Sequence, residues 1–113
     1  MTDRDLLELA AKAAGLSLSH CDDSVWDDER ADYVGWNPLT DDGDAFRLAV
    51  KLWATIGQAS IDDGHHWFIT VAHDDIDGEI WELIEDDPCA ATRRAIVRAA
   101  AEIGKQELKA EDA

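Results

Sequence analysis

The stretch ATIGQASIDDGHHWFITVAHDDIDGEIWELI, Ala54 to Ile84, decides the fold. Three runs rich in β-branched and aromatic residues, Ala54 to Ile61, His65 to His73 and Gly78 to Ile84, are separated by Asp62-Asp63-Gly64 and Asp74-Asp75-Ile76-Asp77. Asp tolerates turn backbone and Gly takes positive φ, so both separators carry hairpin chemistry and the runs read as an antiparallel meander. A three-residue first loop sets Ala59 opposite Trp67, Gly57 opposite Ile69 and Thr55 opposite Val71. Continuing the meander places Val71 beside Trp81 and Ile69 beside Leu83. That face is apolar, so Trp67 and Trp81 are expected in the core. Ile56, Phe68, Ala72, Ile80 and Ile84 fall on the reverse face, which then also needs cover, and helices on both sides of the sheet are expected.

The flanking segments supply those helices. Asp3 to Ala14 carries Leu6, Leu9, Ala10, Ala13 and Ala14 at helical spacing and stops at Gly15. After the break at Asn37-Pro38-Leu39-Thr40, with Thr40 as N-cap, a helix is expected from Asp41 to Trp53. Ala45, Leu48, Ala49 and Leu52 form its core stripe, widened by Phe46, Val50 and Trp53. A last helix runs from Cys89 to Leu108, with a small-residue stripe of Thr92, Ala95, Ile96, Ala99, Ala100 and Ile103. The tail Lys109 to Ala113 is expected to fray. Ser17 to Val25 and Ala31 to Trp36 read as short strands around the acidic turn Asp27-Asp28-Glu29. The fold class is therefore an α/β (α+β) sandwich in a single domain spanning residues 1–113, a length that folds without a metal or disulfide staple.

Charge limits the partners. The net charge is −16, and the 41 residues from Leu52 to Thr92 hold ten carboxylates and no Lys or Arg. Such a run repels phosphate and attracts basic surfaces, so direct nucleic-acid binding and anionic membranes are disfavoured. No apolar run has the roughly 20 residues of a membrane span. Two widely separated cysteines, Cys21 and Cys89, and a start interrupted by Asp3, Arg4 and Asp5, which does not read as a secretion signal, point to a reducing cytoplasm.

Chemistry is sparse. His65 and His73 share a strand face but lie about 26 Å apart at strand rise, and His20-Cys21-Asp22 lacks further ligands, so no metal site is expected. Asp75-Ile76-Asp77-Gly78-Glu79 fails as a calcium loop, because His73 and Ile84 fall where carboxylates are required. Asp41-Asp42-Gly43-Asp44 has the spacing of helix capping. Neither cysteine sits in a nucleophile motif, so the chain is expected to be no enzyme and to need no cofactor.

Trp36-Asn37-Pro38-Leu39-Thr40-Asp41-Asp42-Gly43-Asp44-Ala45-Phe46-Arg47-Leu48-Ala49-Val50-Lys51-Leu52 resembles the middle motif of the phage ABA sandwich domain family. Ala90 to Gly104 is similar to that family's C-terminal helix, and Leu6 to Gly15 to its opening helix. The resemblance implies helix, sheet and helix layers and a bacteriophage or prophage accessory protein in the cytoplasm of an infected bacterial cell. It brings no catalytic residues. The acidic segment Cys21 to Trp36 and the His-rich hairpin depart from it.

Two readings of the acidity stand side by side. Asp doublets suit turns and keep a small protein soluble. Alternatively, carboxylates stand in for phosphates and engage the basic surface of a host nucleic-acid-handling or defence protein, of CRISPR or restriction type. The partner-binding residues on that second reading are Asp22, Asp23, Trp26, Asp27, Asp28, Glu29, Asp62, Asp63, Asp74, Asp75, Asp77, Asp86 and Asp87. Trp26, between Val25 and Asp27-Asp28, would be the aromatic anchor. A structural or assembly accessory that self-associates through the Ala-rich helix or the exposed sheet is the alternative function.

Overall fold

Local signals bound the helices of the computed structural model, which describes residues 1–112. Helix α1 (Asp3–Ala14) opens on a capping box: the Thr2 hydroxyl accepts the Asp5 N–H, and the Asp5 carboxylate accepts the Thr2 N–H. The Thr2 N–H donating to that carboxylate, with the Thr2 hydroxyl beside it, holds the Asp5 carboxyl below its usual range. The helix closes at Gly15 in the left-handed region (φ 70, ψ 26). Strands β1 (Ser24–Asp27) and β2 (Asp32–Gly35) form a separate antiparallel hairpin. Helix α2 (Asp42–Leu52) follows, and its N-cap is Asp41 rather than Thr40, because the Asp41 carboxylate accepts the Asp44 N–H at 2.8 Å.

Strands β3 (Thr55–Ile61), β4 (His66–Ala72) and β5 (Glu79–Leu83) make a three-stranded antiparallel sheet in that order. Helix α3 (Pro88–Asp112) ends the described chain, running through the stretch expected to fray as far as Asp112. This is the expected α+β sandwich with an antiparallel meander.

The register differs from expectation by one residue. The first connection has four residues, Asp62 to His65, so Ile61 pairs with His66, Ala59 with Phe68 and Ile56 with Val71. Asp62, Asp63 and Gly64 all take positive φ, and the His65 N–H closes the turn on the Asp62 carbonyl. An even loop changes the parity of every β3–β4 pairing. The second connection, His73 to Gly78, is even as well, so Trp81 opposes Thr70 and Leu83 opposes Phe68. Ile69 and Val71 go to the buried face with Ile56 and Ile80, whereas Phe68, Trp81 and Leu83 share the other. Trp67 and Trp81 lie on opposite faces, and both are exposed rather than in the core.

Helices cover one face only. Helix α3 packs on β4 and β5, while α1 and α2 pack on α3 and not on the far side of the sheet. The expected helix, sheet, helix order is thus replaced by sheet, α3, then α1 and α2. The reason lies in α3, whose Ala91, Ala95, Ala99, Ala100 and Ala101 are buried along with Ile96, Val97 and Ile103. Small residues around most of the helix let three neighbours approach the same element. Closest of all is Gly104, where an added Cβ would stand 2.1 Å from the Leu9 carbonyl oxygen of α1.

Arg93 fastens α3 to the start of α2, donating to the Leu39 carbonyl at 2.9 Å and to Asp42 at 2.6 Å. The Asp42 carboxylate raises the Arg93 pKa above its usual value.

Gly104→Val should destabilise the fold by about 1–3 kcal/mol through forced separation of α1 and α3, read by urea denaturation. An unchanged midpoint would show that the crossing tolerates a side chain there.

Candidate functional site

Ion pairs divide the molecule into two electrostatic layers. Outside residues 52–92, nine of the sixteen carboxylates lie within ion-pair distance of Lys or Arg among the described residues. Arg4 reaches Glu8 and Asp23, Lys12 reaches Glu111, and Arg30 reaches Asp27. Arg47 reaches Asp41 and Asp44, Arg93 reaches Asp42, Arg94 reaches Asp3, and Lys105 reaches Glu102. Each such surface pair adds little to stability, but together they cancel field at short range. Inside residues 52–92, Glu82 alone of the ten carboxylates lies within ion-pair distance of Lys or Arg among the described residues, Arg98 at 2.6 Å with Arg94 at 3.9 Å. The other nine sit at the two ends of the three-stranded sheet or on its Glu79 margin. Asp62, Asp63, Glu85, Asp86 and Asp87 are at one end; Asp74, Asp75 and Asp77 are at the other. A seven-residue strand separates these ends by roughly 23 Å.

Several expected partner-binding residues have structural work of their own. Asp23 accepts from Asn37 Nδ2 at 2.9 Å and lies 3.4 Å from Arg4, while Asp22 accepts the Ser24 hydroxyl. Asp27 closes the β1–β2 turn by accepting the N–H groups of Glu29 and Arg30. Asp87 caps α3, its Oδ1 accepting from Cys89 N at 3.0 Å and Ala90 N at 3.2 Å. The Asp62 carboxylate accepts from His66 Nδ1 at 3.1 Å, and Asp62 and Asp63 each take φ 54, which Asp tolerates better than most residues. Glu29, Asp63, Asp74, Asp77 and Asp86 are exposed and carry no side-chain bond among the described residues.

Trp26 is half-exposed on β1, edge-on to Tyr33 with ring centroids 5.3 Å apart, and its indole N–H donates to Asp28 at 2.8 Å. Trp26, Asp27, Asp28 and Glu29 thus share one hairpin tip, separate from the sheet-end carboxylates.

Two apolar surfaces escaped the sequence reading. On the open sheet face, Phe68 and Trp81 meet edge to face at 5.3 Å, with Leu83 beside Phe68. The parity of the β4–β5 connection hides this face from inspection of the sequence. The second surface is a strip on α2, where Phe46, Val50 and Trp53 repeat at helical spacing yet point to water. Trp53 closes α2 in the left-handed region (φ 57, ψ 39), its N–H reaching the Ala49 and Val50 carbonyls. A side chain with Cβ is disfavoured there by roughly 1–2 kcal/mol. The only sequence signal was a bulky residue where α1 has glycine.

Among the described residues, no three His, Cys, Asp or Glu side chains gather as a cation site. Cys21 and Cys89 are free exposed thiols. His73 holds the β4–β5 loop to α2, with Nε2 donating to the Leu52 carbonyl at 2.8 Å and Nδ1 accepting the Asp75 N–H at 3.0 Å. His20 and Glu8 border an open groove over α1, but Glu8 is held by Arg4 at 3.3 Å. A cleft of about 280 Å³ between the β1–β2 hairpin and α2 is lined by Leu16, Val25, Val34, Trp36 and Leu48. At its edge Asp44 is satisfied by Arg47 at 2.7 Å and the Asn37 N–H at 3.0 Å. No helix is long and apolar enough to cross a membrane. No family model, curated protein or solved structure matches the chain.

Asp87→Ala should cost about 1 kcal/mol of stability by uncapping α3, while Asp86→Ala should be near neutral. Paired urea titrations check this, and equal effects would remove the capping role.

Proposed function

We propose that the chain is a non-enzymatic binding protein that offers its sheet layer to the basic surface of a nucleic-acid-handling protein, carboxylates taking the place of phosphates. The observation that carries this reading is the set of nine carboxylates between Leu52 and Thr92 with no Lys or Arg partner. Twenty-six acids over 7066 Å² average about 270 Å² each, so mean density falls well short of duplex DNA and the reading depends on this local excess. Unneutralised charge at both ends of the sheet steers a cationic partner toward the face between them.

There Phe68, Trp81 and Leu83 supply what a nucleic-acid backbone lacks, an apolar centre that excludes water once docked. Occupation of a phosphate-binding surface inhibits the partner by exclusion of its substrate. The phage resemblance of Trp36 to Leu52 makes a host defence nuclease or surveillance complex the class of partner to examine first.

Purified basic nucleic-acid-binding proteins from a bacterial host, titrated with the chain, should show binding that weakens on the order of tenfold as salt is raised. Duplex DNA should compete. Asp74, Asp75 and Asp77 replaced together by Asn, or Trp81→Ala, should weaken the complex by roughly tenfold or more. Binding indifferent to salt, to DNA and to both variants would reject the reading.

A further inference from the structure

Trp53 is held in a backbone conformation that suits glycine, and its side chain is 88% exposed, so the indole recovers almost nothing from contacts within the chain. Gly15 closes α1 with the same pair of cap bonds and no side chain at all. Strain retained without internal compensation marks a surface that is covered by something else. Phe46 (67% exposed) and Val50 (56%) extend the strip along α2, and Ile56 (42%) continues it onto β3.

The strip adjoins the outer edge of β3, which is unguarded. TIGQASI, Thr55 to Ile61, contains no charge and no proline along an unpaired edge. The other edge is protected: β5 carries Glu79 and Glu82, and Arg98 donates to its Trp81 carbonyl at 3.0 Å.

We propose that β3 pairs antiparallel with β3 of a second copy of this chain, joining the two meanders into one six-stranded sheet with the α2 strips covered at the seam. The occupant follows from charge. From Asp42 to Ile61 two acids balance two bases, so this surface is neutral on a molecule of net charge −16 and has no attraction for a basic partner. Two-fold pairing centred on Gln58 sets Thr55 of one copy against Ile61 of the other. The Asp62-Asp63 turn of each then arrives beside the C-terminal end of the opposite α2, close to Lys51. Lys51 is exposed and has no carboxylate within ion-pair distance among the described residues, and Asp62 and Asp63 have no Lys or Arg. The complementary contact occurs twice.

Phe46, Val50, Trp53 and Ile56 leave on the order of 400 Å² of apolar surface in water, about half of what each partner buries in a standard interface. The seven-residue strand edge and the flanking turns supply the remainder. The open sheet face with Phe68, Trp81 and Leu83 stays free, and the Asp62-Asp63 turn is the one element that the pairing shares with the binding surface proposed above.

Light scattering on gel-filtered full-length chain, loaded at up to about 0.5 mM, decides the matter. The expected result is a dimer for the unaltered chain and for Trp81→Ala. Trp53→Gly and Gln58→Lys, the latter placing two lysines face to face on the symmetry axis, are expected to be monomers with unchanged far-ultraviolet circular dichroism. Trp53→Gly should also melt no lower than the unaltered chain at low concentration, because glycine relieves the cap. An unaltered chain that is monomeric overturns the proposal, as does a dimer retained by either variant. A monomer whose binding to a basic partner is lost in Trp53→Gly overturns it too and assigns the strip to that partner.

Discussion

Close packing around α3 is the constraint on which the other elements depend. Its alanines and Gly104 let α1 approach one side while Ile69 and Val71 of β4 are covered on another. Large side chains at those positions would hold the layers apart and expose apolar surface on both. Charge is arranged around this core according to what each layer needs. The helices carry most of the cations and pair most of them with acids outside the sheet, Glu82 of β5 with Arg98 being the exception, while the sheet sends its other acids to its ends and margin, where Asp also suits turn backbone.

That division bears on what an acidic surface signifies. Asp22, Asp23, Asp27 and Asp87 fasten turns and a helix end, so their chemistry is accounted for within the chain. Glu29, Asp63, Asp74, Asp77 and Asp86 make no such bond, and they hold the charge available to a partner. Bonded and unbonded carboxylates thus stand side by side within a doublet: Asp87 caps α3, and Asp86 beside it makes no side-chain bond among the described residues.

Helical periodicity was legible residue by residue. Helix α1 spans the expected Asp3–Ala14 and ends at Gly15, and the three strands fall within a residue of their expected bounds. Pairing parity was not legible, because Asp-Asp-Gly fits a three-residue loop as well as the four-residue turn that His65 completes. The β4–β5 connection, His73 to Gly78, is likewise even, and from its parity follow the place of Trp81 beside Phe68 and Leu83 and the open face itself. Apolar periodicity on α2 likewise marks residues that need cover without saying whether the cover comes from the same chain. Ala45, Leu48 and Ala49 find it inside; Phe46, Val50 and Trp53 do not.

Helix α3 follows every other element along the chain, yet it touches α1, α2 and the sheet. On the ribosome, α1 and the meander emerge before the helix that covers them, so Leu6, Leu7, Ile69 and Val71 stay solvated until translation has passed Pro88. Assembly of this domain is consequently a late, concerted event rather than a stepwise accretion from the N-terminus. During that interval the nascent meander has both sheet faces bare, and its dense negative charge then serves to keep neighbouring unfinished chains from associating.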